Sequence, residues 1–289
     1  MQRYLALKKI LDTGSFTKAA ESMNCTQSAV SQMIASLENE LSMKLLLRSR
    51  QGLKLTAEGE TLYPFIERTI NQWQALQEKA RELQGLESGI IRIGTLTSIT
   101  CHWMPKLIKG FQTEYPKAQF LLHQGDYTLI PEWIESGSVD FGFITPKVAP
   151  GLQHIAIKDG EFLAVLPEGH SAAGMEKVPI ALLSNEPFIL LEEGQYSEIL
   201  SAFKEARLEP DLRYTIHDDF AIMTMVEEGL GVSVLAELML RRQNFRIVTR
   251  PVDPPIYRNL AIAYRDWDSL PLASKRFIEY MLDRKDELP

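Results

Sequence analysis

The feature that most constrains this chain is a change of hydrophobic period near the end of its first third. From Tyr4 to about Gln84 the apolar residues recur at helical spacing. Beyond Gly85-Leu86-Glu87-Ser88-Gly89, short β-rich apolar runs alternate with helical ones to the end. With 289 residues the chain suits two or three domains rather than one, and the break is the natural place to divide it.

The first part resolves into pieces. Leu7, Ile10 and Leu11 mark a first helix, Phe16, Ala19, Ala20 and Met23 a second, and Val30, Ile34, Leu37 and Leu41 a third. Gly14-Ser15 separates the first pair, with Ser15 as N-cap, and Asn24-Cys25 the second, with Thr26 as cap. Leu53 and Leu55 then alternate with Lys54 around a Gln51-Gly52 turn, which reads as a small hairpin. From Ala57 to about Gln84 one long helix follows. Its apolar positions, Leu62, Ile66, Trp73, Leu76, Ala80 and Leu83 with Thr69 as the polar exception, step by fours and threes, the seam of a helix that pairs with another copy. Pro64 falls near its start.

In the second part, strands are expected at IIRIGT, QFLLHQ, VDFGFIT, FLAVLP, FILLEE, RYTIHD, GVSVLA and LAIAYR. Helices are expected around Met104 to Glu114, Ile130 to Ser136, Ser197 to Ala206, Phe220 to Glu228 and Pro271 to Asp286. Such alternation predicts mostly parallel sheets with helices on both faces.

Charge is shared unevenly. Residues 1 to 84 carry 11 Lys and Arg against 9 Asp and Glu, a net of +2, so the remainder carries −9 of the chain's −7 total. A mildly basic head on an acidic body fits a protein whose head alone meets an anionic polymer. The N-terminus has no secretory pattern and no apolar run reaches membrane-spanning length, so a cytoplasmic protein without membrane contact is expected. The two cysteines, Cys25 and Cys101, lack ligand or disulfide spacing, and no metal or cofactor is expected.

Between Glu21 and Glu38 no side chain is charged. On a helical wheel Val30, Ile34, Leu37 and Leu41 take one side of the third helix, and Ser28, Ser31, Gln32, Ala35 and Ser36 the other. Two helices joined by a short turn, the second presenting hydroxyls and amides, suit the major groove of DNA: such groups read base edges, whereas carboxylates would be repelled by phosphate. Gln27, Ser28, Ser31 and Gln32 are the candidate base readers. Arg48, Arg50 and Lys54 place three cations around the hairpin turn, as a wing that contacts phosphate would.

SFTKAAESMNCTQSAVSQMIASLENELSMKLLLRSRQGLKLTAEG, residues 15 to 59, resembles the N-terminal signature of the LysR-type transcriptional regulators. IRIGTLTSITCHWMPKLIKGFQTEYP and VEEGLGVSVLAE extend the likeness along the chain. One departure is LLLRS at 45 to 49, where the family carries an aromatic and Leu46 or Leu47 must fill the site. The resemblance implies an α+β multidomain fold. Residues 1–58 form a winged helix-turn-helix, 59–88 a linker and dimerisation helix, and 89–289 a two-lobed α/β effector domain similar to type 2 periplasmic binding proteins. Lobe one is placed at about 90–160 plus 265–289 and lobe two at about 161–264. It also implies a homodimer through residues 59–85, a homotetramer of such dimers, an operator in double-stranded DNA, RNA polymerase as a further partner, and a small organic effector, carboxylate or amino acid, between the lobes. Thr97, Ser98 and Thr100 lie where a strand gives way to a helix, a junction whose free amides and hydroxyls suit anions. By family likeness Ser98, Asp126, Thr145, Tyr196 and His217 join the ligand contacts. A carboxylate such as Asp126 favours an ammonium or a hydroxyl-rich ligand, so an amine remains open.

Other readings compete. No Gly-x-Ser-x-Gly, phosphate-binding Gly-Lys-Ser/Thr or His-Glu-x-x-His motif is present, and Gly229-Leu230-Gly231 precedes a strand, the wrong order for a dinucleotide fingerprint, so an enzyme is not expected. A transport-type solute-binding protein would share the body but not the head. A thiol sensor would use Cys101, placed at a helix start where a thiolate is favoured. Asp219 is expected as the N-cap of the helix that begins at Phe220.

Overall fold

The computed structural model describes residues 1–49, 52–83, 89–241 and 244–289, and the chain divides into two compact units, residues 1–86 with 136–138 and residues 87–135 with 139–289. In the first unit, α1 (Gln2–Thr13), α2 (Phe16–Ser22) and α3 (Gln27–Leu41) pack into a small core. Val30, Ile34 and Leu37 are all buried, the face that the wheel selects. Ser15 and Thr26 cap α2 and α3 by accepting from the amides of Lys18 and Ala29. The hairpin β1 (Leu46–Ser49) and β2 (Gly52–Leu55) is antiparallel, with Leu46 opposite Leu55. Leu46 packs against the head core while Leu47 is 53% exposed, so Leu46 takes the place of the family's aromatic.

The long helix α4 (Ala57–Leu83) contains Pro64 in its early turns. Thr56 begins it: its hydroxyl accepts from the Gly59 amide at 2.8 Å and donates to the Lys44 carbonyl at 2.6 Å. A side chain at Gly59 would collide with the Leu45 carbonyl, so the close approach of helix to wing requires glycine. The paired seam is only partly free. Ile66, with Ile70, is buried in the head core, so the first turns serve the winged helix itself, while Leu76 is 64% exposed further on.

The second unit has two lobes. In the first, β3 (Ile90–Thr95), α5 (Thr97–His102), α6 (Met104–Glu114), β4 (Gln119–Gln124), α7 (Leu129–Ser136) and β5 (Phe141–Ile144) wind in parallel β-α order, β3 lying between β4 and β5. Then β6 (Gln153–Pro167) carries the chain across, 15 residues in one strand. The second lobe adds β7 (Val178–Pro179), α8 (Ile180–Leu183), β8 (Pro187–Leu191), α9 (Glu198–Glu205), β9 (Asp211–Ile216), α10 (Asp219–Glu227), β10 (Ser233–Ala236) and α11 (Glu237–Leu240). The 18-residue β11 (Ile247–Tyr264) returns antiparallel to β6, and α12 (Leu272–Leu282) closes the first lobe.

The sheet is therefore mixed rather than mostly parallel. The β-α windings supply the parallel pairs, and the two crossings between lobes, which run in opposite directions, supply the antiparallel ones. Residues alternate between cores on the second lobe's two faces: Ala164, Leu166, Phe188 and Leu190 enter one, Val165 and Ile189 the other. Ile157 belongs to the first lobe's core and Phe162 to the second's, which puts the outward crossing near residue 160. Leu260, Ile262, Ala263 and Tyr264 already pack in the first lobe, so the return comes before residue 265, earlier than expected. No described helix is long and apolar enough to cross a membrane.

Candidate functional site

Two surfaces concentrate the predicted residues. On α3, Gln27, Ser28, Gln32, Ala35 and Ser36 are exposed and Ser31 half-buried. Gln27 donates its amide to the Ser31 hydroxyl at 3.0 Å, one turn on, while the Gln32 amide has no partner among the described residues. The helix is held firmly from behind. Glu38, 7% exposed, receives the Lys44 ammonium at 2.6 Å and the Leu45 amide at 2.9 Å, fixing the end of α3 to the start of the wing. Burial opposes its ionisation, but these donors prevail and hold the carboxyl below its ordinary range. Arg3 of α1 reaches the same face, donating to Ser36 at 3.1 Å and pairing with Glu40. Lys54 is exposed on β2. Arg50 and the side chain of Arg48 lie outside the described residues.

The second surface is a cleft of about 290 Å³ between the two lobes, at the lower end of the usual size for ligand sites. Thr97, Ser98, Asp126 and His217 line it. Thr100 does not: its hydroxyl bonds Thr95 and Leu96 at 3.2 Å, inside the β3–α5 turn. Thr145 is 2% exposed within the first lobe, and Tyr196 packs near the Tyr127 ring and under the Lys147 ammonium; neither lines the cleft.

Among the lining residues that escaped sequence reasoning are Gln124, Glu193, Asp219 and Arg258. Arg258, on β11 and 3% exposed, donates through Nε to the Tyr127 hydroxyl at 3.0 Å and through Nη1 to Ser98 Oγ at 3.3 Å, so the crossing strand brings its guanidinium to two first-lobe hydroxyls at the cleft. Burial works against its charge, yet Tyr127, Glu193 and Glu198 more than compensate and push its pKa up. Tyr127 in turn donates to Glu198 Oε1 at 3.3 Å, while Glu198 Oε2 is buried without a partner among the described residues. Glu193 follows β8, and burial raises its carboxyl to about 8 despite Arg258 nearby. Asp219 is raised to about 6, again by burial. It is not the helix cap: Asp218 caps α10, accepting from Phe220 and Ala221 at 2.8 and 3.0 Å, which leaves Asp219 in the first turn with its carboxyl at the cleft. A doubled Asp-Asp before a helix was the available signal, with the second residue free once the first caps.

The lobes also touch beside the cleft. The Tyr127 amide donates to the Glu193 carbonyl at 2.9 Å and the Gln195 amide to Thr128 Oγ1 at 2.8 Å. Between them Gly194, at φ +86°, comes so close that a Cβ would stand 2.8 Å from Asp126 Oδ1 and 2.9 Å from the Thr128 amide. Asp126 holds its own turn, accepting from Thr128 and Leu129 at 2.7 and 2.9 Å. His217 meets Glu192 at 3.2 Å on the exposed rim.

Cys101 falls in the last turn of α5 rather than at its start. Burial and then Asp219 push the thiol up, the reverse of what a thiolate sensor needs. Among the described residues no group of three or more His, Cys, Asp or Glu is arranged to hold a metal.

Comparison with known proteins gives these surfaces a context. Residues 1–60 match the family described as bacterial regulatory helix-turn-helix protein, lysR family, and residues 84–286 match the LysR substrate binding domain. The uncharacterized HTH-type transcriptional regulator YvbU of Bacillus subtilis strain 168 is 33% identical over 94% of each chain. Among solved structures, full-length CbnR in complex with its target DNA superposes with TM-score 0.71, covering 98% of this chain and 99% of that one at 19% identity. The regulatory domain of Synechocystis PCC6803 CcmR, solved with 2-PG, covers 70% of this chain and 100% of its own length at 21% identity and TM-score 0.65. With its head and its two-lobed body each matched over nearly their full length, the chain belongs to the LysR family of bacterial DNA-binding transcriptional regulators.

Proposed function

We propose that the α3 face reads operator DNA through Gln27, Ser28, Ser31 and Gln32, that Arg48, Arg50 and Lys54 bind phosphate from the wing, and that residues 1–58 form this head. The observation that carries the reading is the exposed Gln32 amide, without a partner among the described residues, on the uncharged early turns of a helix that is anchored by the buried Glu38. An amide there can pair bidentately with adenine, and nearby phosphates meet no carboxylate. Residues 59–88 link head to body, and the outer turns of α4, where Leu76 and Ala80 are exposed, pair with a second copy. Residues 89–289 sense a small organic effector held by Thr97, Ser98, Asp126 and His217 together with Arg258. The presence of 2-PG in the CcmR regulatory domain supports a small-molecule occupant.

Footprinting and a binding profile across operator variants at fixed salt test the head. Gln32→Ala should relax preference at one half-site position at a cost of about 1 to 3 kcal/mol. An unchanged profile would remove Gln32 from the readers.

A further inference from the structure

The cleft holds more acid than its arginine can neutralise. Glu193 and Asp219 are 8% and 6% exposed and both line it. Glu193 has no hydrogen-bond or ion-pair partner for its carboxylate among the described residues, and the only donor to Asp219 is its own amide. Arg258 is committed elsewhere, to Tyr127 and Ser98. Buried carboxylates without donors are costly, and a site built this way is incomplete until a donor arrives.

We propose that the cleft takes an organic cation, an amine whose ammonium group lies against the carboxylates of Glu193 and Asp219. This rests on reading the cleft as the effector site. An anionic ligand would add charge of the sign already in excess. An inorganic cation finds no suitable group of three ligands among the described residues, whereas an ammonium carries its own three donors and needs no coordination geometry. The groups facing Glu193 from neighbouring elements are Asp126 after β4, Glu198 on α9, Asp219 on α10 and Arg258 on β11.

Without ligand Glu193 holds a proton at neutral pH, its pKa being about 8, and an arriving ammonium takes that proton's place. Amine binding therefore tightens as pH rises through this range, and carboxylate binding does not.

Calorimetric titration of the full-length protein with three probes of equal chain length, putrescine, γ-aminobutyrate and succinate, tests this. Putrescine should bind, by about tenfold more tightly near pH 8.5 than near pH 6.5, and Glu193→Gln and Asp219→Asn should each weaken it by about tenfold or more. Thr97→Tyr, which fills the cleft from its rim, should abolish binding. Succinate binding alone, lost in Thr97→Tyr, would overturn the cation inference and leave the cleft reading intact. Putrescine binding indifferent to all three substitutions would overturn both. Absence of binding by both amines would overturn the cation inference by itself.

Discussion

Glu38 and Glu193 are both carboxylates taken out of water, and they titrate in opposite directions because one is supplied with donors and the other is not. For Glu193 the folded-state value of about 8 lies above the ordinary 4.5. The folded state thus holds the proton more tightly than the unfolded chain. Its contribution to stability is complete below about pH 4.5 and is lost as pH rises through about 8. Asp219, raised to about 6, adds a smaller loss over a lower range. Glu193→Gln should flatten the decline and stabilise the ligand-free protein near pH 8 by on the order of 3 kcal/mol. Denaturant melts across pH check this, and a slope equal to that of the unsubstituted protein would show that Glu193 ionises freely. Ser98, Asp126 and His217 came from the family resemblance, and the structure puts them on the lining of the cleft. Glu193 was not readable in the sequence, since what distinguishes it from the exposed Glu192 beside it is burial, which a run of two glutamates does not encode.

At the scale of elements, the head was the most legible part. Apolar stripe and turn residue agree within each short helix, with the Ser15 and Thr26 caps added for α2 and α3, so local signals suffice for α1 to α3. Strands β6 and β11 were truncated by the same local reading. In β11, Pro251, Pro254 and Pro255 argue against a strand, yet they fall in the break of pairing between Pro251 and Ile256, where missing amides cost no ladder bonds. In β6, Asp159-Gly160 has the composition of a hairpin turn, but these residues pair with Asn259 and Arg258, between the two register shifts of the ribbon. Losing the first part of β11 also hid Arg258, the floor of the cleft. The helix α4 was read as one seam and is two surfaces, an inner one for the head and an outer one that is exposed. Leu76→Glu should give monomers in sedimentation while leaving the head folded, because Leu76 is outside the head core. A dimer persisting at micromolar concentration would place pairing elsewhere.

Within the effector unit, β6 and β11 join the lobes through the chain itself, and noncovalent contacts beside the cleft join them again: the Tyr127 amide with the Glu193 carbonyl, the Gln195 amide with Thr128 Oγ1, and the Tyr127 hydroxyl with Glu198 Oε1. The strands are permanent, and only the contact beside the cleft can part. Gly194→Ala should force it open, since a methyl group has no room beside the Thr128 amide and φ is positive. Hydrogen exchange at the Tyr127 and Gln195 amides should then accelerate by at least about tenfold while the amides of β5 and β10 keep their protection; unchanged exchange would mean the contact adapts. That breakable contact also bears on time. With the effector in the cleft as proposed, a contact that holds the lobes together beside it slows departure, so the bound state should outlast a fall in the surrounding concentration, and a Gly194→Ala protein should forget its signal sooner.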